Sequence, residues 1–186
     1  MIENQIFERI DYTTNKIPKG EYECCKFLNC NFYTADVSNI TFRECEFDGC
    51  DFSLANLKNT ALNDVKFIGC KLLGVQFEGC NSFLLSFQFE NSLLKLAVFS
   101  KLKLKKTIFK NCNLQETDFS EADLSGSSFD NCDMERAIFH KTILEKVDFR
   151  TAFNYSIDPE QNRIKKARFS SMGVVGLLDK YGIVIE

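Results

Sequence analysis

The chain has no tryptophan, two prolines and one histidine in 186 residues. A lone histidine cannot complete a Cys/His zinc set, and no C-x-x-C spacing offers the alternative. No stretch approaches the ~20 consecutive apolar residues that a membrane-spanning helix needs. The start, Met1-Ile2-Glu3-Asn4-Gln5, lacks the basic residues and apolar run of a secretory signal, so a cytoplasmic location is expected. No P-loop, nucleophile elbow or dinucleotide fingerprint occurs, and neither catalysis nor a bound cofactor or metal is expected. His140 follows a large apolar residue and is expected to face solvent rather than to activate a Ser or Cys. Charge of one sign is missing too: 26 acidic and 23 basic residues leave a formal net of only −3.

What is abundant is phenylalanine, with 19 residues, and its placement is regular. Across residues 104–149 large apolar residues fall five apart without a break: Leu104, Phe109, Leu114, Phe119, Leu124, Phe129, Met134, Phe139, Leu144 and Phe149. Two places before each comes a smaller or β-branched residue, such as Thr107, Cys112, Thr117, Ala122 or Ser127. The same beat runs from Phe7 to Phe77. On an α-helix five residues overshoot a turn by roughly 140°, which would scatter the set around the cylinder. On a straight strand an odd spacing alternates faces. Every member points inward only if the chain turns a corner once per five residues. Four corners close a square coil, and stacked coils give an all-β fold, a right-handed quadrilateral parallel β-helix.

On these motifs the chain resembles the pentapeptide-repeat proteins, whose loose consensus is A(D/N)LXX. It is seen in Ala35-Asp36-Val37, Ala55-Asn56-Leu57 and Ala122-Asp123-Leu124, with Cys50-Asp51-Phe52 and Thr117-Asp118-Phe119 as variants. One solenoid domain over residues 1–186 is expected. Its parts would be an N-terminal cap at about 1–20, regular coils over 21–150, and a C-terminal cap with a short α-helix over 151–186.

Sorting by the twenty-residue coil explains the nine cysteines. Cys30, Cys50 and Cys70 form one vertical stack, Cys112 and Cys132 continue it with Ser92 between, and Cys25 and Cys45 form another. Small buried residues are wanted there, and thiols rather than disulfides are expected in a cytosol. The same sorting stacks Phe7, Phe27, Phe47 and Phe67. The register then slips: seven residues separate Phe77 from Leu84. A two-residue bulge within 79–83 absorbs the slip and carries the stack on through Phe89, Phe109, Phe129 and Phe149. Leu84 is then an inward residue, and Phe83 is an exposed candidate for partner contact.

Past Phe149 the beat decays. Ser170-Ser171 can cap a helix over 172–181 with an apolar face, Gly182 can stop it, and Ile183-Val184-Ile185 reads as strand-like. Val174, Leu177, Leu178, Tyr181, Ile183 and Ile185 are more apolar than a lid requires, which points to a homodimer joined there. This ending, Leu177-Leu178-Asp179-Lys180-Tyr181-Gly182-Ile183-Val184-Ile185, is similar to the terminal helix and tail of the Qnr quinolone-resistance proteins. Those and the related mycobacterial MfpA dimerise end to end into acidic rods that resemble DNA and bind DNA gyrase, so the resemblance implies a gyrase partner.

The surface is banded. Six lysines and no acid lie between Lys95 and Lys110, and seven acids and no base between Glu116 and Glu135. Lys101, Lys103, Lys105, Asp118 and Asp123 are candidate partner contacts. A duplex mimic would present acids along its whole length. Direct nucleic-acid binding is not expected, because no aromatic residues interleave the lysines. Two readings stand: a rod that binds gyrase, or a general protein-interaction scaffold.

Overall fold

Each coil contributes three-residue strands whose middle residue points inward, as in Glu21–Glu23, Lys26–Leu28, Thr41–Arg43 and Glu46–Asp48. In the computed structural model, which describes residues 1–185, every strand pairs in parallel with the equivalent segment of a neighbouring coil. Phe7 pairs with Phe27, Phe27 with Phe47, and Phe47 with Phe67. One sheet has seven strands, from Ile6–Glu8 to Ser128–Asp130; a second has four, from Ile2–Glu3 to Ala61–Asn63. The other faces are joined by single bridges at the same spacing, such as Asp36↔Asn56 and Asp118↔Ile138. This is the all-β parallel solenoid that the five-residue beat predicts. No helix among the described residues is long and apolar enough to cross a membrane.

Stacked side chains fill the interior. On the main face the rings of Phe7, Phe27 and Phe47 lie 4.7 Å apart, nearly parallel. The stack continues through Phe67, Phe89, Phe109, Phe129 and Phe149 and ends at Phe169. These separations are close to the ~4.8 Å between hydrogen-bonded strands, so ring stacking and backbone pairing reinforce one another.

The residue two places before each inward one has a second job besides being small. Its hydroxyl or thiol donates to the carbonyl of the inward residue 23 positions earlier: Thr117 to Leu94, Ser127 to Leu104, Thr142 to Phe119, Cys50 to Phe27, Cys132 to Phe109. Ser92 occupies the slot between Cys70 and Cys112, and its Oγ accepts from the Cys70 amide at 3.1 Å. All nine cysteines are free thiols, and Cys24 alone of them is exposed. Burial pushes the thiols of Cys45 and Cys80 up to about 12, which keeps them protonated and inert.

The corners are made locally. Asp or Asn one place before the inward residue accepts a backbone N–H two residues on, as Asp36 does from Ser38 and Asp51 from Ser53. Two places after the inward residue the backbone adopts a left-handed conformation, often at Asn: Asn29, Asn39, Asn59, Asn91, Asn111 and Asn131 all have positive φ. Some of these asparagines bond up the column, Asn131 to Asn111 and Asn111 to Asn91, both at 3.0 Å.

The interruption falls slightly later than the spacing suggests. Asn81 still donates to the Thr60 carbonyl in the ordinary register, whereas Val65 already pairs with Phe87, an offset of 22. The extra residues therefore lie within 82–85. Leu84 does not point inward. It has positive φ and is 67% exposed, and Leu85 packs against the core instead. The neighbouring coil holds this arrangement: the Asn63 side-chain amide donates to the carbonyls of Phe83 and Leu84, whose side chains face outward.

The ending also differs from expectation. Residues 172–181 form no α-helix but two short 3-10 helices, Gly173–Leu177 and Asp179–Tyr181. Glycine at 173 and 176 and β-branched Val174 and Val175 disfavour an α-helix. Tertiary contact decides the shape: a Cβ on Gly176 would come within 2.2 Å of the Tyr155 carbonyl oxygen. The Ser170 Oγ accepts from the Gly173 amide, and Gly182 ends the segment in a left-handed conformation. Ile183, Val184 and Ile185 form no strand and are exposed.

Two consequences can be measured. Ser127→Ala removes a buried donor and should lower stability by about 1 kcal/mol, read as a lower urea midpoint; an unchanged midpoint would discard this role. Gly176→Ala should lift the terminal segment at a cost of about 1–3 kcal/mol. Hydrogen exchange would then show faster exchange over 173–181 with the Phe-stack strands unaffected, and uniform protection would refute the close-contact account.

Candidate functional site

Because the inward side chains are taken up by packing, chemistry available to a partner lies on the outward positions. The face lined inside by Ile2, Tyr22, Phe42 and Leu62 continues beyond the interruption through Leu104, Leu124, Leu144 and Ile164, as the bridges Lys103↔Asp123↔Ile143↔Arg163 record. It collects most of the residues that the sequence singled out. Phe83, 73% exposed, projects from the interruption together with Leu84. Lys103 and Lys105 are exposed on the next coil, and Asp123 lies one coil further, directly bridged to Lys103; Lys101 is exposed at the corner of the adjoining face, two places after Phe99.

Asp118 stands apart on the adjoining face, bridged to Val98 and Ile138. The two aspartates also have structural duties. Asp118 accepts from the Ser120 amide at 2.8 Å, and Asp123 from the Ser125 amide at 3.1 Å while its other oxygen meets the Lys105 ammonium at 3.2 Å. Partial burial works to raise the Asp123 carboxyl, but Ser125 and Lys105 outweigh it and hold the group below its ordinary value.

The linear charge bands are partly cancelled in space. A coil is about as long as the distance between them, so lysines of the first meet acids of the second across coils, Lys95 with Glu116 at 3.1 Å and Lys105 with Asp123 at 3.2 Å, while Lys110 reaches back to Glu90 at 2.8 Å. The Glu90 carboxylate beside Lys110 raises the pKa of its ammonium. Exposed pairs of this kind contribute little stability, but they change which charges remain for a partner.

At the C-terminal end Val174, Tyr181, Ile183 and Ile185 are exposed, while Leu177 and Leu178 are half-buried and Leu177 packs on the core. Lys180 pins this segment, reaching Asp158 at 2.8 Å and Glu160 at 2.6 Å. His140 is exposed, its Nδ1 2.7 Å from the Gln161 amide oxygen. Among the described residues no group of three or more His, Cys, Asp or Glu side chains is arranged to hold a metal ion.

Sequence reasoning passed over a second feature. Tyr33, Leu54, Leu73, Leu93 and Leu96 are exposed on the face lined inside by Phe32, Phe52, Leu72 and Leu94. Leu54 lies over Gly74, where an added Cβ would stand 3.0 Å from its Cδ2. The signal was present as apolar residues at outward positions of the beat. Reading the inward positions alone hides it.

No curated protein matches this chain. The family model described as "Pentapeptide repeat region" matches residues 20–95 and 82–153. Among solved structures, a trypsin-treated form of QnrB1, described as a plasmid-mediated fluoroquinolone resistance protein, is 20% identical with a TM-score of 0.59, over 100% of this chain and 98% of that one. Full-length QnrB1 is likewise 20% identical, with a TM-score of 0.51 over 97% of this chain and 99% of its own. At such identity the likeness speaks to the fold. Together with the five-residue beat, the coil pairing and the Asx corners, the matched segments place this chain in the pentapeptide-repeat family.

Proposed function

We propose that this protein is a non-catalytic rod that binds another protein through its outward faces, and that the partner is DNA gyrase or a related topoisomerase whose response to quinolones it modulates. The observation that carries this reading is the fold likeness to QnrB1 along essentially the whole of both chains, QnrB1 being a fluoroquinolone resistance protein. The ending over 177–185, similar in sequence to that of the Qnr group, supports it. So does the filled interior, which leaves outward side chains as the means of recognition. The whole chain acts in this reading as one solenoid unit in the cytoplasm, closed by caps at 1–20 and 151–186.

A second reading, a scaffold for a different protein, is favoured by one observation. Lys103, Lys106 and Lys146 are exposed on one face with no acid within ion-pair distance among the described residues, which a uniformly acidic duplex mimic would not show. The same proposal includes a homodimer through the C-terminal end, supported by exposed Val174, Tyr181, Ile183 and Ile185.

A supercoiling assay with purified gyrase, run with and without a quinolone, separates the two readings. Inhibition of supercoiling or relief of quinolone poisoning at micromolar protein is expected; no effect on either would remove gyrase and leave the scaffold. For the end-to-end dimer, light scattering in about 0.5 M salt, where the screening length is roughly 4 Å, should give a dimeric mass. Ile183→Glu with Ile185→Glu should give a monomeric one, and equal masses for the two proteins would sink the dimer.

A further inference from the structure

The face that carries the interruption also reverses its charge there. Four inward levels precede residues 82–85 (Ile2, Tyr22, Phe42, Leu62) and four follow (Leu104, Leu124, Leu144, Ile164). The interruption is the midpoint of the face. Three ion pairs within the chain cancel charges on it: Arg43 with Glu23, Lys105 with Asp123 and Arg163 with Glu145. Among the described residues the exposed charged side chains left without such a partner are all acidic on the N-terminal half: Glu3, Glu21, Glu44 and Asp64. On the C-terminal half they are all lysines: Lys103, Lys106, Lys146, Lys165 and Lys166. At the midpoint stand Phe83 and Leu84, both largely exposed, with their carbonyls held by Asn63.

We propose that this face binds the same face of a second copy of the chain, the two rods antiparallel about a two-fold axis that crosses the face at residues 82–85. A two-fold axis in that position sends each level to its mirror level and leaves each column opposite itself. The column of left-handed corner residues holds Asn4, Cys24, Glu44 and Asp64 on one side and Lys106, Gly126, Lys146 and Lys166 on the other. Asp64 therefore meets Lys106 of the second copy, one level from the axis. In the next column Glu3 meets Lys165 of the second copy at the far end. On the axis Phe83 and Leu84 meet their own counterparts, which covers the apolar pair that the interruption turns outward. A parallel arrangement would set acids against acids and lysines against lysines, so charge selects the antiparallel one.

The size of the face sets the strength. Nine levels at ~4.8 Å span ~38 Å, and five residues at ~3.3 Å each make a side no wider than ~16 Å. The contact is then at most about 1,200 Å² in total, at the small end of specific interfaces. Association should be weak, concentration-dependent and salt-sensitive. The antiparallel arrangement leaves both C-terminal ends at the outer ends of the pair, so the inference stands apart from the end-to-end dimer and from gyrase.

The test uses the full chain with Phe83→Cys in a Cys24→Ser background, which removes the exposed native thiol. A residue beside a two-fold axis faces its own copy, so mild oxidation in about 20 mM salt, where the screening length is roughly 20 Å, should give a disulfide-linked dimer. Leu54→Cys in the same background, on the adjoining face, should give none. Adding Lys106→Glu should weaken association about tenfold, and adding Asp64→Lys to that chain should restore it, a rescue that misfolding could not produce. Val184→Glu at the C-terminal end should leave the yield unchanged. The proposal is overturned if Phe83→Cys cross-links no better than Leu54→Cys. It is overturned equally if the yield ignores both salt and Lys106→Glu, or if Val184→Glu abolishes it.

Discussion

The chain must come back over itself at one strand spacing after every four corners, and every other feature serves that return. Ring centroids in the Phe stack stay between 4.7 and 5.3 Å apart over its length, so backbone ladder and side-chain stack share one repeat. Failure of either would pull the other out of register. Buried Ser, Thr and Cys side chains tie the carbonyls of one coil to the next, and Asx turns make the corners from local hydrogen bonds. Left-handed residues at the corners have a conformational cost, which falls least on Asn and Gly and accounts for their recurrence there.

The same return governs the surface. Residues about twenty apart in sequence are neighbours in space, so a lysine band followed one coil later by an acid band becomes a set of cross-coil ion pairs. What a partner meets is the remainder after that cancellation. On the interrupted face the charged side chains left over are acidic before the midpoint and basic after it. Net charge, which is mild, conceals this arrangement because the halves nearly cancel.

The interruption and the ending show where local reading stops. At 77–84 the spacing revealed that two residues were extra, but placing them within 79–83 with Leu84 inward was one of several placements that satisfy the same count. Asn63 on the preceding coil holds the one adopted, in which Leu84 faces outward. At 172–181 the apolar pattern suited an α-helix, and close approach of glycine backbone to Tyr155 produced 3-10 turns instead. Asp118 and Asp123 read as a surface pattern, but their turn-capping hydrogen bonds were not visible without the corner geometry.

The sequence by itself determined the architecture, since a five-residue beat of large inward residues has one way to bury them all. It determined the Phe and Cys columns for the same reason: a fixed coil length turns sequence spacing into vertical alignment. Tertiary structure alone decided which charges are left unpaired, which two residues project at the interruption and how the last segment lies. Those outcomes depend on contacts between coils, where a neighbour twenty or more residues away supplies the hydrogen bond, the counter-ion or the steric limit.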